Sequence, residues 1–210
     1  MQEVPEGRLR KGGCHIIIST PCSLKETYTG IREVSLYTEH LTRGRIFLSG
    51  PIDMELADSV AAQLLYLEQE GKEVQLIINS PGGEVTAGLM LYDVLGGLKV
   101  PVSRWCCGIA ASMAAILLCG GEKGRRFILP HSRTMIHEPL LQSGVGGSAT
   151  SIQALSESIL ETRAITNGIL AKHTGKTIQE IDAATAFDNY MNAEQSVAFG
   201  LCDEIRSSLC

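Results

Sequence analysis

From about Glu33 onward, short β-rich runs alternate with stretches of helical periodicity, and this alternation constrains the fold more than any other feature. The runs are "RGRIFLSGPI", "EVQLIINSPGG", "PVSRWCCGIA", "RRFILP", "SRTMIHEP" and "LCDEI", preceded by a strand-like "REVSLYT". Between them, "DMELADSVAAQLLYLEQEGKE" carries Leu56, Val60, Leu64 and Leu67 at helical spacing, with Asp53 placed to cap its start and Gly71 to end it. "TAGLMLYDVLGGL", "SMAAILLCGG", a long stretch from about Ser151 to His173 stopped by Gly175, "IQEIDAAT" with a Thr177–Glu180 capping box, and "NAEQSVAFG" read as further helices. Strands joined through helices pair in parallel, because a parallel neighbour needs a crossover long enough to hold a helix. The expected fold class is therefore α/β with a largely parallel sheet.

The 210 residues fit one domain with a small appendage. Residues 1 to about 31 are irregular and read as an N-terminal arm; residues 32–210 read as a single domain. A net charge of −5, with no basic run after the first dozen residues, argues against a nucleic-acid surface. The longest apolar run, Ile109 to Cys119, is about half of the ~20 residues that a membrane-spanning helix needs. "MQEVPEGRLRKGG" has no apolar core of the kind a secretory signal needs, so a cytoplasmic location is expected. Of seven cysteines, Cys106, Cys107 and Cys119 lie in apolar surroundings and no pair has C-x-x-C spacing, which reads as reduced, buried thiols.

"CCGIAASMAAILLCGG" places one hydroxyl, Ser112, in an otherwise small and apolar run, where strand gives way to helix. A serine becomes a nucleophile only if it is reachable, a base takes its proton and donors meet the oxyanion. Ala110 and Ala114 flank Ser112 at two residues' distance, the crowded-turn pattern of a nucleophile elbow with alanine in place of glycine. At a helix start, the N–H of Met113 is available as an oxyanion donor. The bland reading of Ser112 is a helix-packing residue.

Three further signals bear on that choice. Pro81-Gly82-Gly83 ends an apolar strand and leaves backbone uncovered, so the Gly83 N–H can serve as a second oxyanion donor; the alternative is an ordinary turn. Among five histidines, His137 ends "RTMIH" at a strand end, where α/β proteins collect reactive groups. His15 and His40 lie in or near the arm, His131 in a turn, and His173 at a helix end where it can complement the dipole. A carboxylate to orient the imidazole can come from Asp188, Asp182 or Asp203, and chemistry alone leaves these three open.

The segments "INSPGG", "GIAASMAAILLCGGEKGRRFILPHSRTMIHEPL" and "HTGKT…FDNYMNAEQSVAFGL" resemble the proteolytic subunit of the Clp protease, over about Glu33 to Ile205. The resemblance implies a crotonase-like α/β domain with a protruding strand–helix handle at about 141–173. It implies a nucleophile at Ser112, a base at His137, an acid at Asp188 and oxyanion donors on the backbone of Gly83 and Met113. It implies a serine endopeptidase acting on unfolded proteins and peptides in protein quality control, with neither metal nor cofactor. The implied assembly is a tetradecamer of two stacked seven-membered rings, served by a hexameric AAA+ unfoldase of the Clp type. The chain carries no G-x-x-x-x-G-K-[ST] loop, so ATP would be used by that partner.

Two departures qualify the resemblance. The family's usual N-terminal pore segment is replaced by "CHIIISTPCSLKETYTGIRE" after a longer arm. The residue before Asp188 is Phe187, where the family commonly has an arginine that pairs across the two rings. Together these suggest a divergent paralogue suited to mixed complexes. Rival readings are a structural, non-hydrolytic subunit of a mixed ring and a crotonase-type acyl-CoA enzyme.

Overall fold

The computed structural model describes residues 21–28, 30–140 and 147–209. They fall into two compact units that divide after Glu39. In the first, β1 (Cys22–Thr27) and β2 (Gly30–Ser35) pair as an antiparallel hairpin with Thr27 opposite Gly30. The later part of the expected irregular arm is thus a regular hairpin; Gly30, at φ 118°, supplies a backbone conformation that other residues rarely adopt. Residues 1–20 of the arm lie outside the described residues. The strand expected over "REVSLYT" stops at Ser35, whose hydroxyl accepts from the Tyr37 N–H at 3.2 Å and opens α1 (Leu36–Thr42).

The second unit is built on one sheet. Strands β3 (Arg45–Ser49), β4 (Val74–Ser80), β5 (Val102–Ala111), β6 (Arg126–Ile128) and β9 (Glu204–Ile205) lie side by side in that order, all parallel. Strand β7 (Arg133–Ile136) pairs in parallel with the far end of β5, and β8 (Asn189–Met191) pairs antiparallel with β7. Crossovers α2 (Met54–Gln69) and α3 (Val85–Gly97) form as the periodicity requires: Val60, Leu64 and Leu67 are fully buried, and Asp53 Oδ1 accepts from the Leu56 N–H at 2.8 Å. Thus the α/β class and the parallel sheet both stand.

Strand β5 changes partner midway. Its residues Arg104–Cys106 face β6, whereas Ile109–Ala111 face β7. Against β4 the register moves from Ile78↔Cys106 to Ser80↔Ala110, so β5 carries two extra residues in a bulge. Gly108 occupies it at φ 104°, and a Cβ there would fall 2.6 Å from Asn79 Oδ1. The bulge is held by Ser132 Oγ, which accepts from the Gly108 N–H at 2.7 Å, and by Asn79 Oδ1, which accepts from the Ile109 N–H at 3.3 Å. It turns the end of β5 away from β6 and delivers Ser112 beside β7.

Helix α4 (Met113–Cys119) is buried at every residue, as a helix apolar all round must be. Two buried arginines close helix C-termini. Arg104 donates to the Leu117 carbonyl near the end of α4, and burial lowers its pKa to about 10. Arg126 Nη1 donates to the carbonyls of Cys119 (3.1 Å), His173 (3.2 Å) and Gly200 (2.9 Å), at the ends of α4, α5 (Ala149–Thr174) and α7 (Ala193–Phe199). The α5 side chains buried within the chain are Thr166, Asn167 and Leu170, while Ile152, Leu155, Leu160 and Ile165 are exposed. Of the expected handle, residues 141–146 lie outside the described residues. Among the described residues, no helix is long and apolar enough to cross a membrane.

Candidate active site

Ser112 joins β5 to α4 at φ 55°, ψ −125°, the one non-glycine among the described residues with positive φ. Such a conformation costs about 1–3 kcal/mol and persists only where the surroundings impose it. Here they impose it from both sides. The Ser112 N–H donates to the Met135 carbonyl at 2.8 Å, continuing the β5–β7 ladder, while the Ser112 carbonyl accepts from Ala115 and Ile116 at 2.9 and 3.2 Å and starts α4. The chain reverses within one residue, and the side chain is pushed outward.

Registers bring the other groups to it. Ala111 is paired with Met135, so Ser112 comes level with the end of β7, where His137 emerges. Ile136 is paired with Asn189 on antiparallel β8, which sets His137 beside Asp188. His137 Nε2 lies 2.9 Å from Ser112 Oγ, and His137 Nδ1 lies 3.1 Å from Asp188 Oδ1. With Nδ1 protonated toward the carboxylate, Nε2 is the acceptor for the serine hydroxyl. Three groups named from sequence thus form one hydrogen-bonded chain.

The rival carboxylates are committed elsewhere. Asp203 forms a two-oxygen ion pair with Arg126 at 2.5 and 3.0 Å and accepts from the Gly124 N–H at 2.7 Å. Burial alone would raise its pKa; Arg126's hydrogen bonds and charge outweigh that and hold it below the usual carboxylate range. Asp182 accepts from Asn167 Nδ2 at 2.7 Å. His173, expected to complement the dipole of its helix, is engaged by a side chain of another helix. Its Nε2 lies 2.8 Å from Tyr92 Oη, and burial, followed by the charges of Lys172, Arg104 and Arg126, lowers its pKa.

The Pro81-Gly82-Gly83 turn packs directly against the elbow. A Cβ on Gly82 would fall 2.6 Å from the Ala111 carbonyl oxygen, 2.7 Å from Ser112 Cβ and 3.1 Å from Met113 N. Gly83, at φ 157°, is pinned to Ile52: the Ile52 N–H donates to the Gly82 carbonyl at 2.8 Å and the Glu84 N–H to the Ile52 carbonyl at 2.7 Å. That pairing leaves the Gly83 N–H facing away from Ile52. Neither it nor the Met113 N–H has a backbone acceptor among the described residues. An open cleft of about 350 Å³ lies here, lined by Gly83, Val85, Ser112, Met135, His137 and Leu140.

The thiols are not part of this site. Burial pushes Cys106 and Cys119 up to about 12 and Cys107 to about 11. Among the described residues no group of three or more His, Cys, Asp or Glu side chains gathers as a metal site.

A serine hydroxyl, an imidazole and a carboxylate linked by hydrogen bonds, beside two backbone N–H groups without a backbone acceptor among the described residues, have the arrangement that serine hydrolases use. The Clp protease family model matches residues 28–208, and the chain belongs to that family. Clp proteases are serine peptidases that associate in rings with Clp ATPases.

The sequence reading missed β8, whose three residues "NYM" show no alternation, and the Arg126 cluster, whose members are scattered from Cys119 to Asp203. The available signal was Arg126 standing directly before the apolar run Phe127–Leu129 of "RRFILP", at the start of a strand.

Proposed function

We propose that this chain is a serine endopeptidase subunit that hydrolyses peptide bonds of unfolded proteins. The observation that carries the reading is the Ser112–His137–Asp188 chain of hydrogen bonds at 2.9 and 3.1 Å. His137 Nε2 takes the Ser112 proton as Oγ attacks the scissile carbonyl. Asp188 orients the imidazole and stabilises the imidazolium. The Gly83 and Met113 N–H groups receive the oxyanion. The tetrahedral intermediate collapses, His137 protonates the leaving amine, and an acyl-enzyme remains on Ser112. Water, deprotonated by His137, attacks the ester, and collapse of the second intermediate returns the proton to Ser112 and frees the acid. Neither metal nor cofactor is needed for these steps.

The exposed apolar side chains of α5 support self-association, which we read as seven-membered rings stacked in pairs, in the cytoplasm, fed by a hexameric ATP-driven unfoldase. A second reading, a structural or conditionally active subunit of a mixed ring with a paralogous chain, is favoured by Phe187. That side chain is 86% exposed directly beside Asp188, where it offers a partner ring an apolar contact and no cation.

The test is labelling of the purified chain with a fluorophosphonate serine probe, Ser112→Ala as control, and mass determination of the assembly. Labelling that vanishes in the control supports the peptidase. A folded, assembled wild-type chain that takes no label overturns it and leaves the structural subunit.

A further inference from the structure

Asn167 lies within α5 and is followed by Gly168, so two poor helix formers sit in a helix interior. Its side chain is only 3% exposed. A buried amide is costly unless it is bonded, and Asn167 spends both amide protons on one target. Nδ2 donates to Asp182 Oδ1 at 2.7 Å and to Thr185 Oγ1 at 3.3 Å, at the two ends of the last turn of α6 (Ile178–Thr185). One turn earlier on α5, Arg163 bridges the same place to another segment: its Nη2 lies 3.5 Å from Asp182 Oδ1 and its Nε 3.4 Å from Glu138 Oε2.

The two segments gripped here are those that carry the imidazole and the carboxylate. Glu138 directly follows His137, and its N–H donates to the Thr185 carbonyl at 2.8 Å. Thr185 stands three residues before Asp188, and the intervening turn is closed by Asn189 Nδ2, which donates to the Ala184 carbonyl at 3.1 Å. Thr185 is fully buried and also donates to the Ile181 carbonyl at 2.9 Å, so it cannot rotate away from Asn167 without losing a second bond. Asp188 has no such support of its own: its side chain is 58% exposed and its described partner is His137.

We propose that Asn167, assisted by Arg163, is a positioning residue for the base–acid pair, holding the His137 and Asp188 segments at a fixed separation through Thr185, Asp182 and Glu138. The role rests on the peptidase reading above. It makes α5, the helix with the exposed apolar surface, the element on which alignment of the site depends.

Asn167→Leu keeps the branched shape, at a larger volume, and removes the donors; Thr185→Val removes the same bond from the other side with less risk to folding. For each, the fluorophosphonate labelling rate and peptide hydrolysis are measured on the assembled protein, with thermal unfolding recorded alongside. Misplacement of a catalytic group by a fraction of an ångström costs about tenfold or more in rate. We expect a loss of that size in kcat and labelling rate with KM unchanged, and a double variant no worse than the poorer single one, because both remove one clasp. Arg163→Met should give a smaller loss, and Arg163→Lys should restore part of it. Normal rates in folded variants, or losses that track only the folded fraction, overturn the positioning role while the peptidase reading stands. A wild-type chain that takes no label overturns both.

Discussion

Ile136 and Asn189 are register partners across β7 and β8, and this single pairing puts His137 Nδ1 within 3.1 Å of Asp188 Oδ1 although 51 residues separate them. In an antiparallel pair the residues that follow on one strand meet those that precede on the other. A one-residue slip would turn either side chain to the opposite face. The base–acid contact is therefore a consequence of strand register, which the hydroxyl pair Thr134–Ser196 at 2.8 Å helps to fix by tying β7 to α7.

Backbone strain at Ser112 predicts opposite effects on activity and stability. Ser112→Ala and Ser112→Gly should each lower peptidase activity by at least about 10⁴-fold, since loss of a nucleophile removes the covalent route. Glycine accepts φ 55° without the side-chain clash. Ser112→Gly should therefore be more stable than Ser112→Ala by about 1 kcal/mol, after the strain relief of about 1–3 kcal/mol is offset by glycine's entropy. Chemical denaturation of the two inactive variants checks this.

Gly83 should tolerate no side chain. A Cβ would stand 2.1 Å from the Ile52 carbonyl oxygen and 2.7 Å from its nitrogen, both backbone atoms that cannot rotate aside. Gly83→Ala should cost about 2 kcal/mol or more through strain and the broken bridge to Ile52. It should also lower kcat in whatever fraction folds, because the donor N–H moves with the loop. Steady-state kinetics on the folded fraction separate the two effects.

Breaking the Arg126–Asp203 pair should be among the most damaging changes outside the site. Arg126 is 3% exposed and would be left as an unpaired buried charge in Asp203→Ala, a loss of about 3–5 kcal/mol. Replacing Arg126 by Met should cost less per charge lost but should loosen three helix ends, which hydrogen exchange at the C-termini of α4, α5 and α7 would register.

Acidification should destabilise the fold through His173. Its folded-state pKa is lowered, first by burial and then by neighbouring cations, whereas the unfolded value is about 6.5. A base whose folded pKa is depressed binds fewer protons folded than unfolded, so its stabilising effect is complete above the unfolded value and is lost as pH falls below about 6.5. Denaturation curves between pH 8 and 5 should show this slope in the wild type and lose it in His173→Gln; an unchanged slope would sink the assignment.

Local pattern was legible where one stretch of chain contains the whole signal. The capping box at Thr177–Glu180, the Asp53 cap, the buried face of α2 and the strand-to-helix turn at Ser112 are each complete within a few residues. The resemblance carried by "INSPGG", "AASMAA" and "RTMIHEP" added the roles that chemistry left open, above all the choice of Asp188 over Asp182 and Asp203. Strands β8 and β1 were not legible, because three residues of "NYM" and the polar "CSLKET" have no clear periodicity to read; they are strands only because β7 and β2 are there to pair with.

By itself, the sequence determined the α/β class, the parallel sheet and the candidate nucleophile, since hydrophobic period and turn chemistry act over a few residues. Tertiary structure decided which carboxylate meets His137, that burial lowers the pKa of His173, and that Asn167 on α5 grips the turn before Asp188. Those outcomes depend on register and burial between segments tens of residues apart, and such distances exist only once the chain has closed on itself.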